Sequence, residues 1–263
     1  MASKQAQQGF IYEQNAVKAL RPLGIVPLKF KPAGAGSDKP DIMLMKNGKE
    51  AGCELKISPA ASGGSLVIKW KKGGPNGGWY FDKPDAVEKD KLFMKELAER
   101  VNIFKLISKQ WTNEPYKYAT SPDIVEQRDK LDRDPNREAK YRADLNRFKE
   151  INGPIESDNL EKYYNTKETY YLNIGTTGFY LLGPSNPLKL TNPTPPRFNA
   201  MAKLGFRCRV QGKGKDKKGS GTYQFTFEMS IKGAKKSLVN IAPLNKGSVT
   251  INKISLNTDW FTK

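Results

Sequence analysis

Asn47-Gly48 lies between two strand-like runs, and no other stretch constrains the chain as strongly. Residues 42–45 are apolar, Ile-Met-Leu-Met, and residues 50–57 alternate. Asn-Gly flanked in this way predicts a β-hairpin closed by a two-residue type I′ turn. A two-residue turn fixes the register. Lys46 then faces Lys49, Met45 faces Glu50 and, by the same count, Asp41 faces Glu54. Directly opposed residues share a face, with Cβ atoms about 4.5–5.5 Å apart. Lys56 lies two residues beyond Glu54 and shares that face. Cys53, Leu55 and Ile57 are expected to point the other way, into a core.

Two opposed carboxylates repel, which destabilises a bare sheet. A divalent cation between them reverses the sign. Hard oxygen ligands suit Mg²⁺, which takes one or two carboxylates and completes its shell with water and substrate phosphate. Lys56 beside such a site could orient or deprotonate a water, or stabilise charge developing on a phosphate. The competing reading is a surface hairpin with ordinary charges.

Pro40-Asp41 followed by Glu54-Leu55-Lys56 resembles the motif of the PD-(D/E)XK nuclease superfamily, the restriction-endonuclease-like fold. The resemblance covers about the first 110 residues, on the helix-then-hairpin pattern read below. It implies that Asp41 and Glu54 bind Mg²⁺, with Mn²⁺ expected to substitute. It implies that the Leu55 carbonyl adds a ligand and that Lys56 serves the nucleophilic water. The family often carries a glutamate on its first helix near the metal. Glu13 is the candidate here.

Composition supports an anionic partner. The 263 residues carry a formal net charge of +18. A globular chain this basic calls first for nucleic acid, with an anionic membrane surface as the alternative. No apolar run approaches the ~18 residues of a membrane span, and no signal-peptide core is present. Two cysteines, Cys53 and Cys208, do not make a disulfide framework. Buried free thiols and a reducing, intracellular setting are expected: the cytoplasm, or a host cell's cytoplasm if the chain is viral. The absence of histidine excludes histidine-metal nucleases, Cys₂His₂ fingers and Ser-His or Cys-His nucleophiles.

Along the chain, residues 4–21 read as an amphipathic helix with Ala6, Phe10, Val17 and Leu20 on one face. Glu13 falls inside that stripe, where a carboxylate is expensive unless paired or metal-bound, or snorkels to solvent. Residues 25–30 read as a short strand. The loop that follows, with Gly34, Gly36 and Ser37, is small enough for a phosphate backbone to approach, although a plain connecting loop is the favoured reading for these glycines taken alone. Residues 66–70 are expected to close a three-strand run. Lys71 and Lys72 open a Gly-rich turn before Trp79-Tyr80-Phe81, which suits base stacking or, more commonly, a core. Pro84 is expected to open one long helix to Trp111, capped by Asp82 and buried along Phe93, Leu97, Val101, Phe104 and Ile107.

Residues 123–150 carry eight acids and eight bases and read as an exposed helical insertion broken near Asp134-Pro135. Residues 169–174 and 179–182 flank Gly175-Thr-Thr-Gly178 as a hairpin whose first strand could complete the core. A proline-rich connection over residues 184–196 is expected to wrap the surface. Strands over 204–211 and 222–232 enclose a lysine-rich loop. Residues 203–236 hold ten Lys/Arg and two acids. Arg207, Arg209, Lys213, Lys215, Lys217 and Lys218 are therefore candidate DNA contacts, against the plainer reading of a solubilising tip.

The sequence thus predicts an α/β restriction-endonuclease-like core, a mixed central sheet flanked by helices, with a helical insertion and a β-rich basic C-terminal part. One unit, 1–263, is expected, divided into a catalytic core 1–111, an insertion 112–168 and a DNA-binding part 169–263. The expected activity is Mg²⁺-dependent endonucleolytic hydrolysis of double-stranded DNA, of the kind found in phage or mobile elements. No Gln-x-x-x-Tyr element of the exonuclease branch follows Lys56 within residues 84–110. Structure-selective or exonucleolytic cleavage, a non-catalytic DNA-binding protein on a nuclease fold, and an RNA-binding structural protein are the competitors. A homodimer is left open.

Overall fold

The computed structural model describes residues 4–32, 39–57, 62–71, 73–83, 85–111, 135–175, 177–201, 203–213, 222–231, 248–251, 254–257 and 259–262. The chain is of mixed α/β class and divides into two compact units. One comprises residues 1–63, 154–205 and 230–263; the other comprises 64–153 and 206–229. This division interleaves the chain. It differs from the expected succession of core, insertion and C-terminal part.

In the first unit, helix α1 spans Lys4–Leu20. It buries Tyr12, Ala16, Val17 and Leu20. The i, i+4 recurrence of Tyr12, Ala16 and Leu20 sets this stripe. Phe10, expected within it, is 40% exposed. The helix ends at Gly24, whose φ of 71° is the left-handed turn a Cβ would strain. Ile25 and Val26 are buried, but residues 25–30 form a turn rather than a strand. Met45 N–H donates to the Ile25 carbonyl at 2.7 Å.

Strands β1 (Ile42–Lys46) and β2 (Lys49–Lys56) form the expected hairpin. Asn47 and Gly48 both take positive φ, 50° and 72°, as a type I′ turn requires. Lys46 pairs with Lys49, Met45 with Glu50 and Ile42 with Cys53. The next step of this register opposes Asp41 to Glu54. Cys53 and Leu55 are buried as expected, whereas Ile57, past the strand end, is 42% exposed.

Strand β3 (Ser62–Trp70) does not join β2. It belongs to a five-stranded sheet ordered β4-β3-β9-β8-β5, whose other strands are β4 (Trp79–Phe81), β5 (Ile151–Pro154), β8 (Gly205–Lys213) and β9 (Thr222–Ser230). The strand beside β2 is β6 (Thr169–Ile174), parallel to it, and β7 (Gly178–Leu181) returns antiparallel to β6. The four-stranded sheet therefore runs β1-β2-β6-β7, with β2 interior. At Gly52 the β2–β6 ladder shifts register, and a Cβ there would stand 2.6 Å from the Glu168 carbonyl and 2.8 Å from Pro40 Cβ. Helix Asn159–Asn165 precedes β6. Leu188 and Leu190, in the proline-rich connection, are buried rather than superficial. The strands β10 (Ser248–Ile251) and β11 (Ile254–Asn257) form a hairpin, and the following Trp260 is buried and donates its indole N–H to the Pro193 carbonyl at 2.7 Å.

The second unit is built around aromatic rings. Phe225 meets Trp79, Trp111 and Phe148 at centroid distances of 4.7, 4.4 and 4.8 Å. Trp79 and Phe81 are buried, which makes that strand a core element. The helix expected over 84–111 is two helices, α2 (Lys89–Arg100) and α3 (Ile103–Gln110), broken at Asn102 with φ 53°. Its buried residues include Met94, Leu97, Ala98, Ile103 and Ile107. Asp82 caps nothing; it pairs with Lys69 at 2.9 Å. Pro84 lies outside the described residues. Helix Arg137–Arg147 begins beyond Pro135 and buries Asp144.

Candidate active site

The hairpin register and the parallel strand β6 together build a charged cluster at the C-terminal end of β2. Asp41 Oδ2 accepts the Leu55 backbone N–H at 2.8 Å, so its carboxylate is held against β2. Glu54 is 7% exposed. Its Oε1 accepts Lys56 Nζ at 2.5 Å and the Tyr164 hydroxyl at 3.1 Å. Lys56 is anchored in turn by its backbone carbonyl, which accepts the Gly175 N–H at 2.7 Å. Glu13, on α1, is partly buried, and its Oε2 is buried with no hydrogen-bond partner.

The electrostatics tie these four groups together. Glu13 is raised to about 7, by burial first and then by the charge of Glu54, with Lys56 opposing. Asp41 is raised well above the carboxylate range by burial, then by Glu54, with Glu13 adding to it and Lys56 and the Leu55 N–H opposing. Lys56 is pulled down by burial, but Glu54, Asp41 and Glu13 outweigh that and raise it. Lys56 is thus held as an ammonium. Of the roles expected for it, orienting a group or offsetting negative charge fits this state.

Whether a divalent ion suits these residues turns on the donor set. The donors are all oxygen, which suits Mg²⁺. Asp41, Glu54 and Glu13 are coupled electrostatically to Lys56, and Glu13 Oε2 is buried without a hydrogen-bond partner. Among the described residues no three His, Cys, Asp or Glu side chains already stand in a metal-binding group. The charge and chemistry of the cluster fit the ion.

Sequence reasoning missed the shell behind the carboxylates. Tyr164 reaches Glu54 from the helix before β6, and nothing local marks it. Asn173 on β6 is buried and donates to the Tyr12 hydroxyl at 3.3 Å. Tyr12 lies on α1 but was not among the residues read into its stripe. Cys53, on the opposite face of β2 from Glu54, is buried and free, and burial pushes its thiol up.

The candidate DNA contacts divide. Arg207 is 6% exposed and its Nε donates to Glu228 Oε1 at 2.7 Å, so its guanidinium is engaged in a buried ion pair. Arg209 Nε donates to the same oxygen at 2.6 Å. Their alternation on β8 places both over one buried acid on β9 rather than on an open face. Lys71 is exposed and its backbone closes the turn with Gly78. Lys213 ends β8. Ser37, Lys72, Lys215, Lys217 and Lys218 lie outside the described residues. No helix among the described residues is long and apolar enough to cross a membrane. No family model, curated protein or solved structure matches this chain.

Proposed function

We propose that the chain is a metal-dependent endonuclease that hydrolyses phosphodiester bonds of double-stranded DNA on a restriction-endonuclease-like core. The observation that carries this reading is the electrostatic coupling of Asp41, Glu54 and Glu13 to one another and to Lys56, whose ammonium bonds Glu54, in a chain of net charge +18. A basic protein that gathers three carboxylates in a partly buried cluster keeps an energetic cost that a divalent cation removes. The hairpin followed by a parallel strand, with α1 packed beside it, is compatible with such a core.

Asp41 and Glu54 would hold Mg²⁺ or Mn²⁺, with Glu13 and the Leu55 carbonyl as further oxygen donors. When bound, the ion supplies Lewis-acid polarisation of the phosphate and a lowered pKa for bound water. The protein's own groups do the rest. The Leu55 N–H orients Asp41, Tyr164 and Lys56 orient Glu54, and the Lys56 ammonium offsets charge that builds on the phosphate.

The test is plasmid nicking in Mg²⁺ beside gel-shift binding in Ca²⁺, for the wild type, Glu54→Gln and Asp41→Asn. Both variants remove a ligand charge at nearly constant volume. Both are expected to lose cleavage and keep binding. Near-normal cleavage by either variant would sink the assignment.

A further inference from the structure

From Gln14 to Pro32 the chain carries four cations and no acid. The fold gathers three of them. The second half of α1 and the returning segment Phe30–Pro32 enclose an open cleft of about 350 Å³, lined by Lys18, Arg21 and Lys31 and, among the described residues, by no carboxylate. Val17, Phe30 and Pro32 give it an apolar wall. Phe30 also packs against the buried cluster of α1 and the four-stranded sheet, so its ring is supported from behind.

Arg21 is built into this cleft. Its Nη2 donates to the Phe30 carbonyl, which ties the helix end to the returning segment. Its Nε is buried with no hydrogen-bond partner. Anchoring Nη2 in this way holds the guanidinium at the cleft, where its charge adds to those of Lys18 and Lys31. Three cations and an aromatic wall match a phosphate joined to a flat ring. The volume lies at the lower end of sites that hold small organic ligands, roughly 300–1,000 Å³, and so suits about one nucleotide at a time.

The position matters as much as the chemistry. Gln14 lines one end of the cleft and adjoins Glu13 in sequence. Arg21 is seven residues further along, about 10 Å at the ~1.5 Å helical rise. Helix α1 therefore supplies both Glu13 to the cluster and Gln14, Val17 and Lys18 to the cleft.

We propose that this cleft is a strand-binding subsite. It seats nucleic acid flanking the point of attack, with phosphate on Lys18, Arg21 and Lys31 and a base against Phe30. The proposal rests on the reading of the chain as acting on nucleic acid, but not on its cutting chemistry.

The test uses the full chain and a labelled DNA duplex in Ca²⁺, with binding measured across a salt series. Lys18 and Lys31 are exposed, so the Lys18→Ala/Lys31→Ala double variant keeps its core packing. It is expected to bind more weakly and to flatten the slope of log affinity against log salt by about 1.8, at ~0.9 for each duplex phosphate no longer neutralised. An unchanged slope overturns the proposal. A second measurement locates the strand. DNA bearing iodouracil, irradiated and mapped by mass spectrometry, is expected to crosslink at Phe30; crosslinks confined to other segments overturn the proposal. Inorganic phosphate that displaces the duplex at equal phosphate concentration would also overturn it in favour of a simple anion site. Failure of the nuclease reading looks different: Glu54→Gln would cleave normally, or the wild type not at all, while slope and crosslink stay as expected.

Discussion

Tyr164 donates its hydroxyl to Glu54 Oε1 at 3.1 Å, although 110 residues separate them in the chain. Lys56 donates to the same oxygen at 2.5 Å. Two donors from different elements fix the rotation of the Glu54 carboxylate, which the hairpin alone positions only at its Cα. Tyr164 therefore belongs to the site although it is not one of the groups that would touch substrate or ion.

Tyr164→Phe keeps the ring, including its contact with Tyr163 at 5.0 Å, and removes only the donor. Stability is expected to fall by about 1 kcal/mol, the net worth of one hydrogen bond. Cleavage is expected to fall about tenfold with a higher Mg²⁺ requirement, because Glu54 is freed to rotate out of place. Denaturant unfolding and Mg²⁺ titration of the nicking rate separate the two effects. A variant that loses stability with an unmoved Mg²⁺ titration would make Tyr164 purely structural.

Arg207 gives the opposite expectation. Glu228 is 2% exposed and takes both Arg207 and Arg209. Arg207→Ala would leave that buried carboxylate short of one partner, at a cost of about 3 kcal/mol. In denaturant melts the midpoint is expected to drop accordingly. At temperatures where the variant is folded, the salt slope of DNA binding is expected to equal that of the wild type. A flattened slope would return Arg207 to the DNA-contact set.

How far the sequence could be read follows from the range of each signal. Asn47-Gly48 acts over two residues, so the register from Ile42 to Cys53 could be counted off directly. Residues 169–174 were legible as an extra strand for the core, because a strand-like run lies beside a clear turn, but their parallel pairing with β2 was not. The failures are non-local. Strand β3 has the composition of a neighbour of β2, and nothing within it specifies that it pairs with β4 and β9 instead. Asn102 breaks the helix without glycine or proline to announce it. Arg207 and Arg209 alternate identically whether they face phosphate or Glu228, so only the partner strand decides. Tyr164 carries no spacing signal at all, since its function arises where a distant helix meets β2.

Gly52 is a residue whose smallness matters. A Cβ at that position would stand 2.6 Å from the Glu168 carbonyl and 2.8 Å from Pro40 Cβ. Backbone and a rigid ring cannot yield cheaply. Gly52→Ala is expected to cost about 1–3 kcal/mol, as overpacking does. It should also displace Pro40 and hence Asp41, which follows it directly. Thermal melting and nicking should therefore fall together, and cleavage more than the melting loss explains. Gly52→Ala with wild-type melting would show that the β2–β6 bulge absorbs the methyl.

Glu13 offers a pH signature. Its ordinary value of 4.5 is raised to about 7 in the fold, by burial and then by Glu54, against the pull of Lys56. A carboxylate raised in this way is penalised when ionised. Below its unfolded value both states hold the proton, and Glu13 adds no pH dependence. Between 4.5 and about 7 the folded state keeps a proton that the unfolded chain releases, so stability falls as pH rises through that window. Above it the loss is complete. Allowing for the group's partial exposure, the loss is about 1–2 kcal/mol. Asp41 is raised too, so it adds a step of the same sign. In chelator, Glu13→Gln is expected to match the wild type at the acid end and to be the more stable protein at the alkaline end. Mg²⁺ should reverse the order at alkaline pH, because ion binding favours the ionised carboxylate. The measurement is denaturant unfolding at both ends of the window, with and without Mg²⁺. A difference between wild type and Glu13→Gln that ignores both pH and metal would remove Glu13 from the cluster.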